Sequence, residues 1–354
     1  MNLRQQVGQL ILVGIEGAEL TALERAWLKL IQPSGVILFR RNIEAAAQTV
    51  GLLREVAAIT TAPQFRCIDL EGGLVDRLRD LIAPMPSPAS VFHSGKPANF
   101  VKHGHLIGKE VRALGFNVNF APVLDLALPI SATVMQTRVA SGSVEGVVTY
   151  ANGFLDGLNR EGILGCGKHF PGLGGGTLDS HELMPSIDRS WPELWNHDIA
   201  VFSRLATRLP MIMVAHASYT AAKDKSPASI SRYWLSDILR RKIGFKGLVI
   251  SDDMEMGGIL TQTSIEEAAV LAVAGGTDLI EVCNNPSPML RAYEAILTEA
   301  ERSAAFRRRV ETSSRRVLAH KRRLLTQALP RVPSSAALAK LRERVLKFTE
   351  DIAT

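Results

Sequence analysis

Eight short apolar runs recur along the chain, at residues 9–15, 35–39, 65–69, 118–123, 163–169, 211–216, 248–252 and 278–283. Between them the hydrophobic period changes. Val147, Ala151, Phe154 and Leu158 fall at steps of four, three and four and stop before Gly162. That spacing predicts an amphipathic helix. Leu235, Ile238 and Leu239, ending at Gly244, predict another. Alternating strands and helices imply parallel βα units, since parallel strands need a crossover between them. Eight such units closing on themselves predict an α/β fold, a (β/α)8 TIM-type barrel. A doubly wound open sheet would want a glycine-rich dinucleotide turn after the first run. The chain there reads Gly14-Ile15-Glu16-Gly17-Ala18 and lacks one. We expect a single catalytic domain over residues 1–325. Pro330, Pro333, Ser334 and Ser335 mark a break, and residues 326–354 read as a C-terminal helical tail whose last helix is 336–348.

Polar residues gather at one end of the apolar runs. Asp69 ends the third, Asp125 follows the fourth, Lys168 and His169 end the fifth, His216 ends the sixth and Asp252 ends the seventh. In a barrel the C-terminal ends of the strands carry the chemistry, so five runs ending this way predict a site on one face.

Composition narrows the class. The 354 residues are 46% hydrophobic and 21% charged, ample for a large core, which excludes general disorder. Cys67, Cys166 and Cys283 are an odd, widely spaced set and read as buried core residues of a reducing compartment. No stretch reaches the ~18 apolar residues of a membrane helix, and the apolar start is interrupted by Glu16 and Glu19, so a cytoplasmic location with no membrane partner is expected. The net charge of +6 is local: from Glu301 onward 14 Lys and Arg face 5 Asp and Glu, which leaves the first 300 residues at −3. Arg307–Arg309, Arg315–Arg316 and Lys321–Arg323 alternate with Val310, Val317 and Leu324. This pattern reads as a solvated amphipathic helix and not as a nucleic-acid surface.

Three segments carry candidate chemistry. The first runs from Lys168-His169-Phe170-Pro171-Gly172 through Gly174-Gly175-Gly176 to Asp179-Ser180-His181. Three glycines make a loop without side-chain anchors, a candidate moving element. A carboxylate beside an imidazole raises its pKa and orients it, which suits Asp179 and His181 to general acid/base work near neutral pH. The second is Ser251-Asp252-Asp253-Met254-Glu255-Met256, a strand ending in two acids. Side chains alternate across a strand, so only one of the two is expected to face the barrel mouth. Asp252 shares parity with Ile250, and Asp253 is its rival. The third is Asp69-Leu70-Glu71-Gly72-Gly73-Leu74-Val75-Asp76-Arg77. Asp69 can accept two sugar hydroxyls and Arg77 can donate a fork of hydrogen bonds, with the glycines letting backbone approach a ligand. A Glu71–Arg77 salt bridge is the plain structural alternative.

Taken together these segments resemble family 3 glycoside hydrolases, in particular the bacterial single-domain β-N-acetylglucosaminidases of peptidoglycan recycling. The family's D-Q-E-G-G-R-V-x-R, K-H-F-P-G-H-G with D-S-H, and S-D-D-[LM]-x-M stand here at Asp69–Arg77, Lys168–Gly174 with Asp179–His181, and Ser251–Met256. The likeness covers about residues 5–320. It implies a retaining mechanism with Asp252 as nucleophile and His181, paired with Asp179, as acid/base. It implies that Asp69, Arg77, Arg138, Lys168 and His169 hold the sugar. It implies no cofactor and no metal, a muropeptide as substrate, and a monomer. The chain departs from the pattern at Leu70, Leu74 and Leu173, where the family carries Gln, Arg and His. A β-glycoside phosphorylase, a broad β-glucosidase and a sugar-binding protein stay open beside this reading. So does a metal-dependent barrel hydrolase built on Asp179, His181, His216 and Asp252, although no His lies near the first run to complete it.

Overall fold

The computed structural model describes residues 1–354 except 179–182, 326, 327 and 354. All eight apolar runs form strands of one closed parallel barrel: β1 (Ile11–Gly14), β2 (Gly35–Leu38), β3 (Phe65–Ile68), β4 (Val118–Asn119), β5 (Leu164–Phe170), β6 (Met211–Val214), β7 (Leu248–Asp253) and β8 (Leu279–Val282). Neighbours in sequence are neighbours in the barrel, and β1 closes it by pairing with both β2 and β8. The reason is the period of two within each run. Leu12, Ile37, Phe65, Cys67, Cys166, Met213, Leu248, Ile250, Leu279 and Cys283 fill the interior, while alternate residues such as Val36, Ile68, Val249 and Ile280 face the helices. The three cysteines are free and buried.

Val147, Ala151, Phe154 and Leu158 are buried on the helix Val144–Arg160, as their spacing requires. That helix packs tightly on Pro97–Ala113 because a glycine faces backbone on each side. A Cβ on Gly104 would stand 2.0 Å from the Phe154 carbonyl oxygen, and one on Gly157 would stand 2.3 Å from the His105 nitrogen. No helix among the described residues is long and apolar enough to cross a membrane.

The basic segment corrects an expectation. It is helical over Ala304–Leu324 with Val310 and Val317 buried, but its charges are not simply solvated. Arg309 and Arg316, with Arg240, converge on the wholly buried Asp278, with Arg316 Nη1 at 2.6 Å. Lys321 is buried and donates to Gln9 Oε1 at 2.7 Å. Arg309, Arg316 and Lys321 thus clamp the helix Ala304–Leu324 to the foot of the barrel. The C-terminal tail is helical and packs on the barrel domain. Its helix, Ser335–Ala353, buries Leu341, Val345 and Phe348 in the main core.

Candidate active site

The C-terminal ends of the strands open onto a cavity of about 340 Å³. It is lined by Asp69, Glu71 and Arg77 from the segment after β3, Arg138 from the loop after β4, Lys168 and His169 from β5, Asp252 and Asp253 from β7, and Glu281 from β8. The sequence-predicted residues among the described ones therefore converge. Asp179 and His181, the expected acid/base pair, lie outside the described residues.

A chain of charges crosses the cavity wall. Lys168 Nζ donates to Asp69 Oδ1 and to Glu71 Oε1, both at 2.7 Å. Arg138 closes on the same glutamate in a fork, Nε to Oε2 and Nη2 to Oε1, both at 2.9 Å. Burial works against a charge on Glu71, yet Arg138 and Lys168 outweigh it and hold the carboxyl well below the usual range. Burial likewise opposes the Lys168 charge, and Asp69 and Glu71 overcome it and push its pKa up. Glu71 is thus in a salt bridge, but with Arg138 and not with Arg77. Arg77 leans toward Asp69 at 3.9 Å and lies 5.6 Å from the centre of the Phe39 ring, which Arg41 also covers.

The local chain explains how these groups arrive. Leu70–Gly72 and Val75–Asp76 pair as a tight hairpin turned at Gly72 and Gly73, with φ of 92° and 61°. The glycines serve protein packing here rather than ligand approach: a Cβ on Gly72 would stand 2.2 Å from the Pro86 carbonyl oxygen. Asp76 anchors the turn by accepting from the Leu78 and Met85 amides at 3.0 and 2.9 Å. On β5, His169 donates from Nδ1 to the buried Asp125 at 2.7 Å, which leaves Nε2 for a ligand. Asp125 also accepts from the Leu173 amide at 2.7 Å and so fixes the start of the glycine loop. Gly174, Gly175 and Gly176 are buried, packed on Leu126, Arg189 and Ile187.

The expectation that only one of the two acids on β7 reaches the mouth is corrected. Asp252 keeps the inward parity of Leu248 and Ile250, but the register with β8 shifts between Ile250 and Asp253, and both acids line the cavity. A bulge of this kind re-aims a side chain. Their surroundings differ. Asp252 accepts from the Asp253 amide at 3.0 Å. Asp253 is fixed by the amides of Glu255 and Cys283 at 3.1 and 3.2 Å and by Asn284 Nδ2 at 3.3 Å. Burial, then the neighbouring Glu255 and Asp252, push Asp253 up to about 7 against those hydrogen bonds.

His216 meets Ser229 Oγ through Nδ1 at 2.7 Å and the Asp253 carbonyl through Nε2 at 3.0 Å. Among the described residues no three His, Cys, Asp or Glu side chains are grouped to hold a metal. Sequence reasoning passed over Phe39, Arg41, Asn284 and Glu281, all of which line the cavity. The signal for Glu281 was present, an acid inside the eighth apolar run that shares the parity of Leu279 and Cys283.

Residues 2–320 match the glycosyl hydrolase family 3 N terminal domain. The β-hexosaminidase of Idiomarina loihiensis is 34% identical over 301 residues, covering 84% of this chain and 90% of that relative. That of Chromobacterium violaceum is 37% identical over 284 residues, covering 78% of this chain and 79% of that relative. Among solved structures, a family 3 β-N-acetylglucosaminidase from Paenibacillus sp. str. FPU-7 superimposes with a TM-score of 0.91 at 31% identity, over 98% of this chain and 69% of that one. A β-N-acetylhexosaminidase from Beutenbergia cavernae DSM 12333 superimposes with a TM-score of 0.82 at 27% identity, over 91% of this chain and 98% of that one. With its barrel closed, its strand-end charges converged and its length matched almost throughout, the chain belongs to glycosyl hydrolase family 3.

Proposed function

We propose that this protein is a retaining exo-β-N-acetylglucosaminidase that releases N-acetylglucosamine from peptidoglycan fragments ending in 1,6-anhydro-N-acetylmuramic acid. The observation that carries this reading is the placement of Asp252. It stands on the inward face of β7, in a cavity of about 340 Å³ that also holds Asp69, Arg77, Lys168 and His169. That volume suits one sugar ring, since ligand pockets begin near ~300 Å³. The names of the relatives supply the N-acetylhexosamine, and the motif at Asp179–His181 supplies the acid/base.

In this mechanism Asp252 attacks the anomeric carbon. The bond to the aglycone oxygen breaks, and that oxygen takes the proton of His181. Water then attacks the glycosyl-enzyme, giving its proton back to His181, and the ester bond to Asp252 breaks with net retention. Asp69 and His169 Nε2 accept from ring hydroxyls, and Arg77 donates to them. A histidine needs little tuning for its role, because its ordinary pKa of ~6.5 lies near working pH. The protein works as a monomer in the cytoplasm, where such fragments are recycled.

The test is release of 4-nitrophenol from its β-N-acetylglucosaminide and β-glucoside, for wild type, Asp252→Ala and His181→Ala, followed by a GlcNAc–anhydro-muramyl peptide as substrate. Preference for the N-acetyl sugar, loss of at least ~10³-fold in Asp252→Ala, and liberation of GlcNAc from the muropeptide are expected. Activity that survives Asp252→Ala overturns the nucleophile. A sugar phosphate formed in phosphate buffer replaces the hydrolase with a phosphorylase.

A further inference from the structure

Two glutamates are buried in the cavity wall, and their surroundings are opposite. Glu71 has an arginine fork and a lysine. Glu281, with 3% of its surface exposed, forms no ion pair with a cation among the described residues. It points inward from β8 with the parity of Leu279 and Cys283, both interior residues of the barrel. Its Oε1 accepts from the Cys283 thiol at 3.0 Å, and its Oε2 is buried without a hydrogen-bond partner.

The groups packed around it deny it a counter-charge. Asp69, from the segment after β3, and Asp252 and Asp253, from β7, all work against a charge on it. The thiols of Cys67, Cys166 and Cys283 are pushed up by burial and stay neutral. Lys168 is held by Asp69 and Glu71, Arg41 donates to the Cys283 carbonyl at 2.6 Å, and Lys321 donates to Gln9. A carboxylate here would be buried, unpaired and beside three others, the case in which a group keeps its proton. The proton then belongs on Oε2, because Oε1 is occupied as an acceptor. A buried O–H needs an acceptor. Asp69 offers one: its Oδ1 is taken by Lys168 at 2.7 Å, while its Oδ2 has only Arg77 at 3.9 Å.

We propose that Glu281 is a positioning residue for the glycosidase reaction, a neutral carboxylic acid on the pocket floor that donates from Oε2 to Asp69 and so holds the sugar-binding carboxylate in place. The inference rests on the proposed role of Asp69. It adds a group that acts through Asp69 without touching the reacting atoms.

Two variants separate the donor from the shape. Glu281→Gln keeps a donor and neutrality, and Glu281→Leu keeps only neutrality and burial. Glu281→Gln is expected within threefold of wild type in kcat/KM, and Glu281→Leu to lose roughly ten- to a hundredfold, mostly in KM. The acidic limb of the kcat/KM profile is expected to stay put in Glu281→Gln, since no charge is removed. A limb moved to lower pH would mean that Glu281 is ionised in the wild type and would overturn the proposal. Wild-type activity in Glu281→Leu would overturn the donor role. Should Glu281→Leu not fold, difference infrared spectroscopy of wild type against Glu281→Gln at neutral pH decides. A protonated-carboxyl stretch present only in the wild type supports the proposal, and its absence refutes it. That spectrum stands whether or not the protein cleaves the N-acetylglucosaminide, so failure of the proposed activity is told apart from failure of this inference.

Discussion

Arg138 and Glu71 meet as fork to fork, with both nitrogen–oxygen distances at 2.9 Å, and this pairing ties the loop after β4 to the hairpin after β3. The resemblance implies that Arg138 holds the sugar; two of its five N–H donors are spent on a carboxylate that is wholly buried. Removing the arginine leaves that carboxylate with Lys168 alone. We expect Arg138→Ala to cost about 3–5 kcal/mol of stability, as breaking one side of a buried pair does. Arg138→Lys should not restore it, because an ammonium lacks the fork. Adding Glu71→Gln to Arg138→Ala should recover part of the loss. Urea unfolding of the variants checks this. An arginine that only touched sugar would raise KM and leave stability unchanged.

Asp253 gives stability a pH dependence of definite sign. Its carboxyl is raised to about 7 in the folded protein from an ordinary 3.8. Between those values the folded state holds a proton that the unfolded state has released. Stability therefore falls as pH rises from about 4 to about 7 and levels off above, by up to ~1.4 kcal/mol per pH unit for one such group. Asp253→Asn is expected to flatten this part of the curve. Urea midpoints of wild type and variant across that window test it, and parallel curves would show that Asp253 is ionised throughout.

The tail should be needed for stability and not for chemistry. Val345 and Phe348 are fully buried, the Phe348 ring lies 6.1 Å from that of His103, and Lys102 bonds Asp351 at 2.8 Å. Burying three such apolar side chains, Leu341 included, contributes on the order of 5 kcal/mol. A chain ending at residue 325 is expected to unfold at lower urea by a corresponding amount, and to keep near wild-type KM while folded. Unchanged unfolding would mean that the helix does not dock in solution.

Chelation should leave the rate alone. Among the described residues Lys168, Arg138, Arg77 and Arg41 bring positive charge to the cavity. Prolonged dialysis against EDTA is expected to change the rate of 4-nitrophenol release by less than twofold. A large loss, restored by a divalent ion, would return the metal-dependent reading with Asp179 and His181 among the ligands.

The order of apolar runs determined the fold by itself. Eight runs with period two, separated by helical spacing and ending in Asp69, Lys168, His169 and Asp252, specify a barrel and the face that carries its site, because local periodicity dictates which side chains face inward. Motif spacing likewise determined the family. What only the tertiary structure decided is pairing between distant segments. Glu71 had two arginines available, Arg77 and Arg138, and the loop after β4 chose between them. Both acids of β7 reach the cavity because the register with β8 shifts, which no alternation rule foresees. The basic helix read as solvated until the buried Asp278 was seen to draw three arginines. Charge states were the least legible of all: Glu71 and Glu281 are the same residue type, both buried, and only the cations around one and the carboxylates around the other set their protonation apart.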